Sequence, residues 1–267
     1  MITTDNVIQL AQRLYRARRN RTPVPQFSRE FPDLSIEDAY AIQREWVRLE
    51  RADGRAIRGY KVGLTSRALQ LALQATEPSF APLMDDMFFD SGSDIPAATF
   101  TAPRVEAELA FVLERPLRGP GVTVRDVLRA TAYVTPALEL IDARIDQFDR
   151  ETRQPRKLAD VICDFGAAAG VVLGSGRAEP EALDRRWTGA ILHKNDLIEE
   201  TGLGAAVLGD PAHSIAWLAN RTAGLDRGLE AGDVLLSGSF TKPVAAARDD
   251  VLRVDYGPLG CLSFKLT

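Results

Sequence analysis

The sequence predicts an α+β protein: a mixed, mainly antiparallel sheet roll with helices at its N-terminal end. Three observations predict it. Helical periodicity is concentrated ahead of Gly54. Beyond Gly54 the apolar residues fall in short alternating or continuous runs, as strands require. Few helical patterns interleave with those runs, whereas a doubly wound parallel sheet would need one between most strands. Residues 1–54 are therefore read as a helical region packed on the core, and 55–267 as the roll that carries the chemistry. At 267 residues the two are expected to form one integrated domain.

Each element has its own signal. Thr3–Arg19 carries an apolar stripe through Val7, Leu10, Ala11 and Leu14. Ser35 opens a second helix with Asp38 three residues on, a capping-box spacing, and Gly54 is its natural stop. Its apolar face runs through Ala39, Ile42, Trp46 and Leu49, and the stretch holding Pro23, Pro25 and Pro32 reads as a linker. Arg55–Leu64 follows as a strand and Ser66–Gln74 as a short helix. Arg104–Leu113, Tyr133–Ile141 and Gly166–Leu173 have strand patterns. Trp187–Leu192 and Leu197–Glu200 flank a turn at Lys194-Asn195-Asp196, Pro211–Ala223 is helical, and Asp233–Ser239, Val251–Tyr256 and Cys261–Leu266 close the chain as strands.

Composition narrows the function. With 45% hydrophobic and 26% charged residues the chain can bury a core without cross-links, which excludes a disordered or coiled-coil protein. Its formal charge of −4, with no basic block beyond Arg16–Arg21, argues against nucleic acid as a partner. There is no long apolar run for a membrane and no charged-then-apolar pattern in Met1–Asn6, so the chain reads as cytoplasmic. Cys163 and Cys261 stand apart, as do His193 and His213, so a bound metal would need oxygen ligands. No GxGxxG, GxxxxGK[ST] or GxSxG occurs, which removes support for nucleotide cofactors and for an esterase nucleophile.

The informative stretch is Arg104-Val105-Glu106-Ala107-Glu108-Leu109-Ala110-Phe111. Strand geometry puts Glu106 and Glu108 on one face, with Cα atoms about 6.7 Å apart. Two such carboxylates either face solvent on an amphipathic strand or converge on a cation. Glu139 interrupts a second apolar strand, with Asp142 and Arg144 at its end. Three inward carboxylates would suit a hard ion such as Mg²⁺. Lys61, in the glycine-bounded strand Gly59-Tyr60-Lys61-Val62-Gly63, either snorkels to the surface or meets an anion.

Gly59–Ser66, the Glu106/Glu108 pair, Glu139–Arg144, Gly238-Ser239-Phe240-Thr241-Lys242-Pro243-Val244 and Val254-Asp255-Tyr256-Gly257 together resemble the fumarylacetoacetase superfamily. More narrowly they are similar to its hydratase/decarboxylase branch from aromatic meta-cleavage pathways, and the likeness extends through Ser35–Arg48, Asp85–Phe89, Leu117–Pro120, Glu199–Gly202 and Ala216–Asn220. The resemblance implies a fumarylacetoacetase-like β-roll, a Mg²⁺ or Mn²⁺ site at Glu106, Glu108 and Glu139, and a homo-oligomer. It implies water addition to a 2-hydroxy-2,4-dienoate or its 2-oxo tautomer, with 2-oxo-hept-4-ene-1,7-dioate as the expected substrate. Lys61 matches the branch's active-site lysine and Lys157 a superfamily lysine near the metal. Ser79, Arg144, Ser239, Phe240 and Thr241 are expected to border the substrate.

Two departures bear on mechanism. This chain has Glu77-Pro78-Ser79-Phe80 where the branch reads Glu-Pro-Asp-Tyr, and Asp164-Phe165-Gly166 where it reads Asp-Asn-Ala. A serine hydroxyl is no general base near neutral pH without its own activator. Glu77, Asp85 or a metal-bound water must then serve, and Glu77 is expected. The alternatives are a 2-oxo-3-enedioate decarboxylase of the same branch, and a non-catalytic subunit associated with a related pathway enzyme.

Overall fold

The computed structural model describes residues 2–225 and 227–267. Two helices lead. α1 (Thr4–Asn20) is capped by the Thr3 hydroxyl, and α3 (Ile36–Ala52) by the reciprocal Ser35/Asp38 box that its sequence announces. Between them the proline-containing stretch is not all linker: Phe27–Glu30 makes one helical turn, α2, with Phe27 buried.

The rest of the chain supplies thirteen strands and four helices. In order these are β1 (Ile57–Gly63), α4 (Arg67–Ala72), β2 (Ser79–Met84), β3 (Phe88–Asp90), β4 (Asp94–Ile95), β5 (Arg104–Leu113), α5 (Val124–Ala130), β6 (Thr131–Ile141), α6 (Leu158–Cys163), β7 (Ala168–Leu173), β8 (Gly189–Lys194), β9 (Leu197–Leu203), α7 (Pro211–Arg221), β10 (Val234–Ser239), β11 (Val244–Ala245), β12 (Val251–Asp255) and β13 (Cys261–Leu266). They form two sheets. The larger runs β2-β1-β10-β5-β6-β7-β3, with β11 also on β5, and the smaller runs β4-β13-β12-β8-β9. Among the described residues only the strand pairs β1–β10, β13–β4 and β3–β7 are parallel, so the arrangement is mixed and mainly antiparallel, as expected.

Position within the sheet explains residue choice. β5 and β6 lie at the centre of the larger sheet, and their apolar residues Val105, Ala107, Leu109, Val134, Leu138 and Leu140 are fully buried. β9 is the edge of the smaller sheet and is largely exposed. Asn195 and Asp196 take φ of 51° and 66°, the left-handed pair that closes a tight hairpin between β8 and β9. The strand expected from Gly166 starts at Ala168 instead. Phe165, Gly166 and Ala167 all take left-handed φ, at 50°, 59° and 66°, which no strand can. The Phe165 ring holds this reversal in place by stacking on Trp46 of α3, with centroids 3.8 Å apart. Among the described residues no helix is long and apolar enough to cross a membrane.

Candidate metal centre and active site

The two central strands bring three carboxylates together. Glu106 stands directly opposite Glu139 across the β5–β6 ladder, and Glu108, two residues on, projects from the same face of β5. One carboxylate oxygen from each lies within 4.8 Å of the other two. Glu108 and Glu139 are buried. Glu108 has one fixed donor, the Gly238 amide, 2.8 Å from its Oε2. Gly238 can present that amide because it takes a φ of +112°, where its missing side chain also leaves room for Thr65. Tyr256 ties the two strands behind the carboxylates: its hydroxyl lies 2.6 Å from the Glu108 carbonyl and 2.9 Å from that of Ala137.

Lys61 completes the cluster from β1. Its Nζ is 3.1 Å from Glu139 Oε2 and donates to the Gly166 carbonyl at 3.3 Å, which the left-handed reversal turns towards it. Burial alone would lower the lysine's pKa, but the three glutamates more than offset this and hold it raised and protonated. Of the two readings open at the sequence level, the anion-facing one applies.

Three carboxylates against one ammonium leave the cluster two charges in excess when all are ionised. Desolvation, then the Glu139 charge, pushes Glu106 up to about 7, with Lys61 and Arg104 pulling the other way. Desolvation raises Glu108 well above the carboxylate range, aided by Glu139, and it raises Glu139 against the pull of Lys61. Neither oxygen of Glu139 has a hydrogen-bond donor of good geometry among the described residues. Buried, like-charged, donor-poor oxygens are a poor resting state for a protein and a good ligand set for a hard dication. The residues fit Mg²⁺ or Mn²⁺.

The sign of these shifts gives a test. Between about 4.5 and 7 the cation-free folded protein binds more protons here than the unfolded chain, so its stability falls as pH rises through 7. A bound dication removes that loss. The rise in melting temperature on adding Mg²⁺ to chelated protein is therefore expected to be larger at about pH 8 than at about pH 6. Thermal unfolding at both values checks it, and the opposite order would rule the three-glutamate site out.

The carboxylates open into a cavity of about 800 Å³, which Lys61, Ser79, Ser239, Phe240 and Thr241 also line. Phe240 packs edge-on against Tyr256. The Ser239 hydroxyl bonds the Thr241 carbonyl at 2.8 Å, and the Thr241 hydroxyl accepts from the Ala107 amide at 3.2 Å, so both residues brace the loop while bordering the cavity. Arg156, Glu200, Thr201 and Lys242 line it too, and reasoning from local pattern did not single them out. Nothing in a polar strand such as β9 marks which residue faces a site built by the other sheet.

Three expected site residues lie elsewhere. Glu77 and Lys157 line a neighbouring cavity of about 470 Å³, and Glu77 Oε1 is 3.4 Å from Arg221. Ser79, with Arg156, lines both cavities. Glu77 precedes the start of β2 by two residues, and the two cavities adjoin at Ser79 and Arg156. Asp85, the other carboxylate considered as base, is exposed beyond the far end of β2. Arg144 does not line the 800 Å³ cavity either. Its guanidinium is spent on Asp164 Oδ1 at 2.6 Å and on the carbonyls of Asp142, Asp164 and Ala168, and it lines a separate cavity of about 230 Å³.

Known proteins are similar to this chain along nearly its whole length. The sequence is 53% identical over 254 residues, 95% of each chain, to 2-oxo-hept-4-ene-1,7-dioate hydratase of Escherichia coli. It is 36% identical to 2-hydroxyhexa-2,4-dienoate hydratase of Comamonas testosteroni, covering 96% of each chain. The structure superposes on 4-oxalocrotonate decarboxylase from Pseudomonas putida G7, solved with magnesium and adipate, with a TM-score of 0.94 and 32% identity over 100% of this chain and 99% of that one. Residues 50–267 match the family described as fumarylacetoacetate (FAA) hydrolase C-terminal, and the chain, with its strand-borne glutamates and its roll, belongs to that family.

Proposed function

We propose that this protein is a Mg²⁺- or Mn²⁺-dependent hydratase of aromatic compound catabolism. It adds water to a 2-hydroxy-2,4-dienoate or its 2-oxo tautomer, with 2-oxo-hept-4-ene-1,7-dioate as the substrate. The observation that carries the reading is the buried Glu106/Glu108/Glu139 cluster with Lys61 against it, opening into a cavity of 800 Å³. The 53% identity to a hydratase of that substrate supports it.

Glu106, Glu108 and Glu139 would hold the cation, which when bound supplies a Lewis acid for the oxygens of a 2-oxo acid. The rest falls to the chain. Lys61, protonated and fixed by Glu139 and the Gly166 carbonyl, offers positive charge where substrate charge develops. Phe240 and the braced Ser239–Thr241 loop wall the cavity beside the carboxylates. Lys242, exposed and without an ion-pair partner among the described residues, and Arg156, held by Asp164 at 2.9 Å, are further cations on the lining. A dicarboxylate has a second charge for them to meet. Exposed apolar side chains at Trp187, Leu197 and Ile198 on and beside the smaller sheet support self-association, the homo-oligomer of this proposal.

The test is turnover by the purified protein. With Mg²⁺ it is expected to convert 2-oxo-hept-4-ene-1,7-dioate to the 4-hydroxy-2-oxo acid, followed by loss of dienol absorbance and by NMR of the product. Release of carbon dioxide instead would favour the decarboxylase reading, which the superposition on 4-oxalocrotonate decarboxylase keeps in play. An inert protein would favour the non-catalytic subunit. Lys242→Ala is expected to raise KM for the dioate about tenfold, the worth of one charge-assisted contact, and to leave a five-carbon monocarboxylic dienoate unaffected. An equal change for both substrates would remove Lys242 from recognition of the distal carboxylate.

A further inference from the structure

We infer that Glu200 is the proton-transfer residue of the site. The inference rests on the hydratase reading and says which group moves the proton. Among the described residues three carboxylates line the cavity, Glu106, Glu108 and Glu200, and the first two belong to the candidate metal cluster. Ser79 cannot act as a base unaided, and Glu77 does not line this cavity and sits beside Arg221. Glu200 has no hydrogen bond or ion pair to its side chain among the described residues, so its carboxylate is uncommitted.

The backbone puts it there. Glu200 lies on β9, opposite the buried Leu192 of β8, and Gly202 two residues on shares its face of the strand. A Cβ at Gly202 would overlap the Phe240 carbonyl, so β9 rests directly on the segment that follows β10. That contact holds β9 of the smaller sheet against the segment after β10, and Glu200 lines the cavity beside it. Glu200 and Gly202 are the two partly buried residues of a strand whose other residues are exposed, so this face of β9 is the one turned to the cavity.

The step balances as follows. The 2-hydroxy-2,4-dienoate first ketonises to the 2-oxo-3-enoate, its enol hydroxyl losing a proton and C5 gaining one. Glu200 then takes a proton from water as the water oxygen bonds to C4. The C3–C4 π pair moves into the C2–C3 bond and the C2 carbonyl π pair onto oxygen, giving the enolate. The enolate collapses, C3 takes the proton from Glu200, and the carboxylate is restored with one water added overall.

The experiment compares wild type, Glu200→Gln and Glu200→Asp, each loaded with Mg²⁺. Glu200→Gln is expected to lower kcat about 10²–10⁴-fold with KM little changed, and Glu200→Asp to recover part of the loss. The Mg²⁺-induced rise in melting temperature should match wild type in both variants, because Glu200 stands outside the ligand set. A second readout does not need hydration: exchange of the C3 protons of 2-oxopentanoate with D₂O, followed by NMR, should occur with wild type and be lost in Glu200→Gln. Wild-type turnover with Glu200→Gln within threefold of it overturns Glu200 and leaves the hydratase reading standing. Exchange that depends on Glu200 without any hydration overturns the hydratase reading and leaves the residue's role. A wild type that does neither overturns both.

Discussion

Glu106→Gln is expected to abolish Mg²⁺-dependent turnover while making the cation-free protein no less stable. The two halves have one cause. The substitution keeps shape and removes one of the charges that Glu139, directly across the ladder, repels. Glu106 sits at about 7 because burial and that repulsion disfavour its ionised form, so the neutral amide relieves a cost that wild type bears above neutral pH. For a dication the same change removes one of three anionic ligands and brings amide hydrogens into the cluster. A buried charge that loses its partner costs about 3–5 kcal/mol, which corresponds to an affinity loss of more than about 10²-fold. Thermal unfolding with chelator and with Mg²⁺ separates the effects: at about pH 8 the chelated variant should melt at or above wild type, and the Mg²⁺ increment should vanish. A variant that keeps the increment would remove Glu106 from the ligand set. Glu139→Gln is not an equivalent test, since it also strips Lys61 of its counter-charge.

Much of this was legible in the sequence, for identifiable reasons. The helix beginning at Ser35, the strand Arg104–Leu113 and the strand Cys261–Leu266 lie where caps and apolar runs put them, because those signals are local. Period-2 spacing placed Glu106 and Glu108 on one face, and the glutamate in the next apolar strand turned out to be their cross-strand neighbour. What local pattern could not give is register between distant segments. Glu139 meets Glu106 and not Glu108 because of the β5–β6 pairing, and Glu200 reaches the cavity only because Gly202 lets β9 lie on Phe240. The Thr123/Asp126 capping box ahead of α5 is an equally local signal. Nor could local pattern show that the Arg144 guanidinium contacts Asp164 and three carbonyls at a chain corner.

Lys61→Met is the second substitution with a large expected effect, and its consequences divide between catalysis and folding. As the buried cation against the three glutamates, Lys61 is positioned to meet substrate charge, and its loss is expected to lower kcat about 10²–10⁴-fold with Mg²⁺ saturating. The sequence resemblance pointed to Lys61 as an active-site lysine. The structure adds a second role, because Glu139 has no other counter-charge within salt-bridge distance among the described residues. Removing the ammonium raises all three carboxylates further, and the cation-free variant should be destabilised by about 3–5 kcal/mol at about pH 8. The deficit should shrink as pH falls, because protonation of carboxyls with raised pKa restores stability below their folded values. Mg²⁺ should restore it too, since a dication replaces the missing positive charge. The expected pattern is thus a chelated Lys61→Met protein that melts early at high pH, a Mg²⁺-loaded one that melts near wild type, and low turnover in both. A Mg²⁺-loaded variant with wild-type kcat would make Lys61 a structural counter-ion alone, and a chelated variant as stable as wild type at about pH 8 would show that the three glutamates are already protonated when the cation is absent.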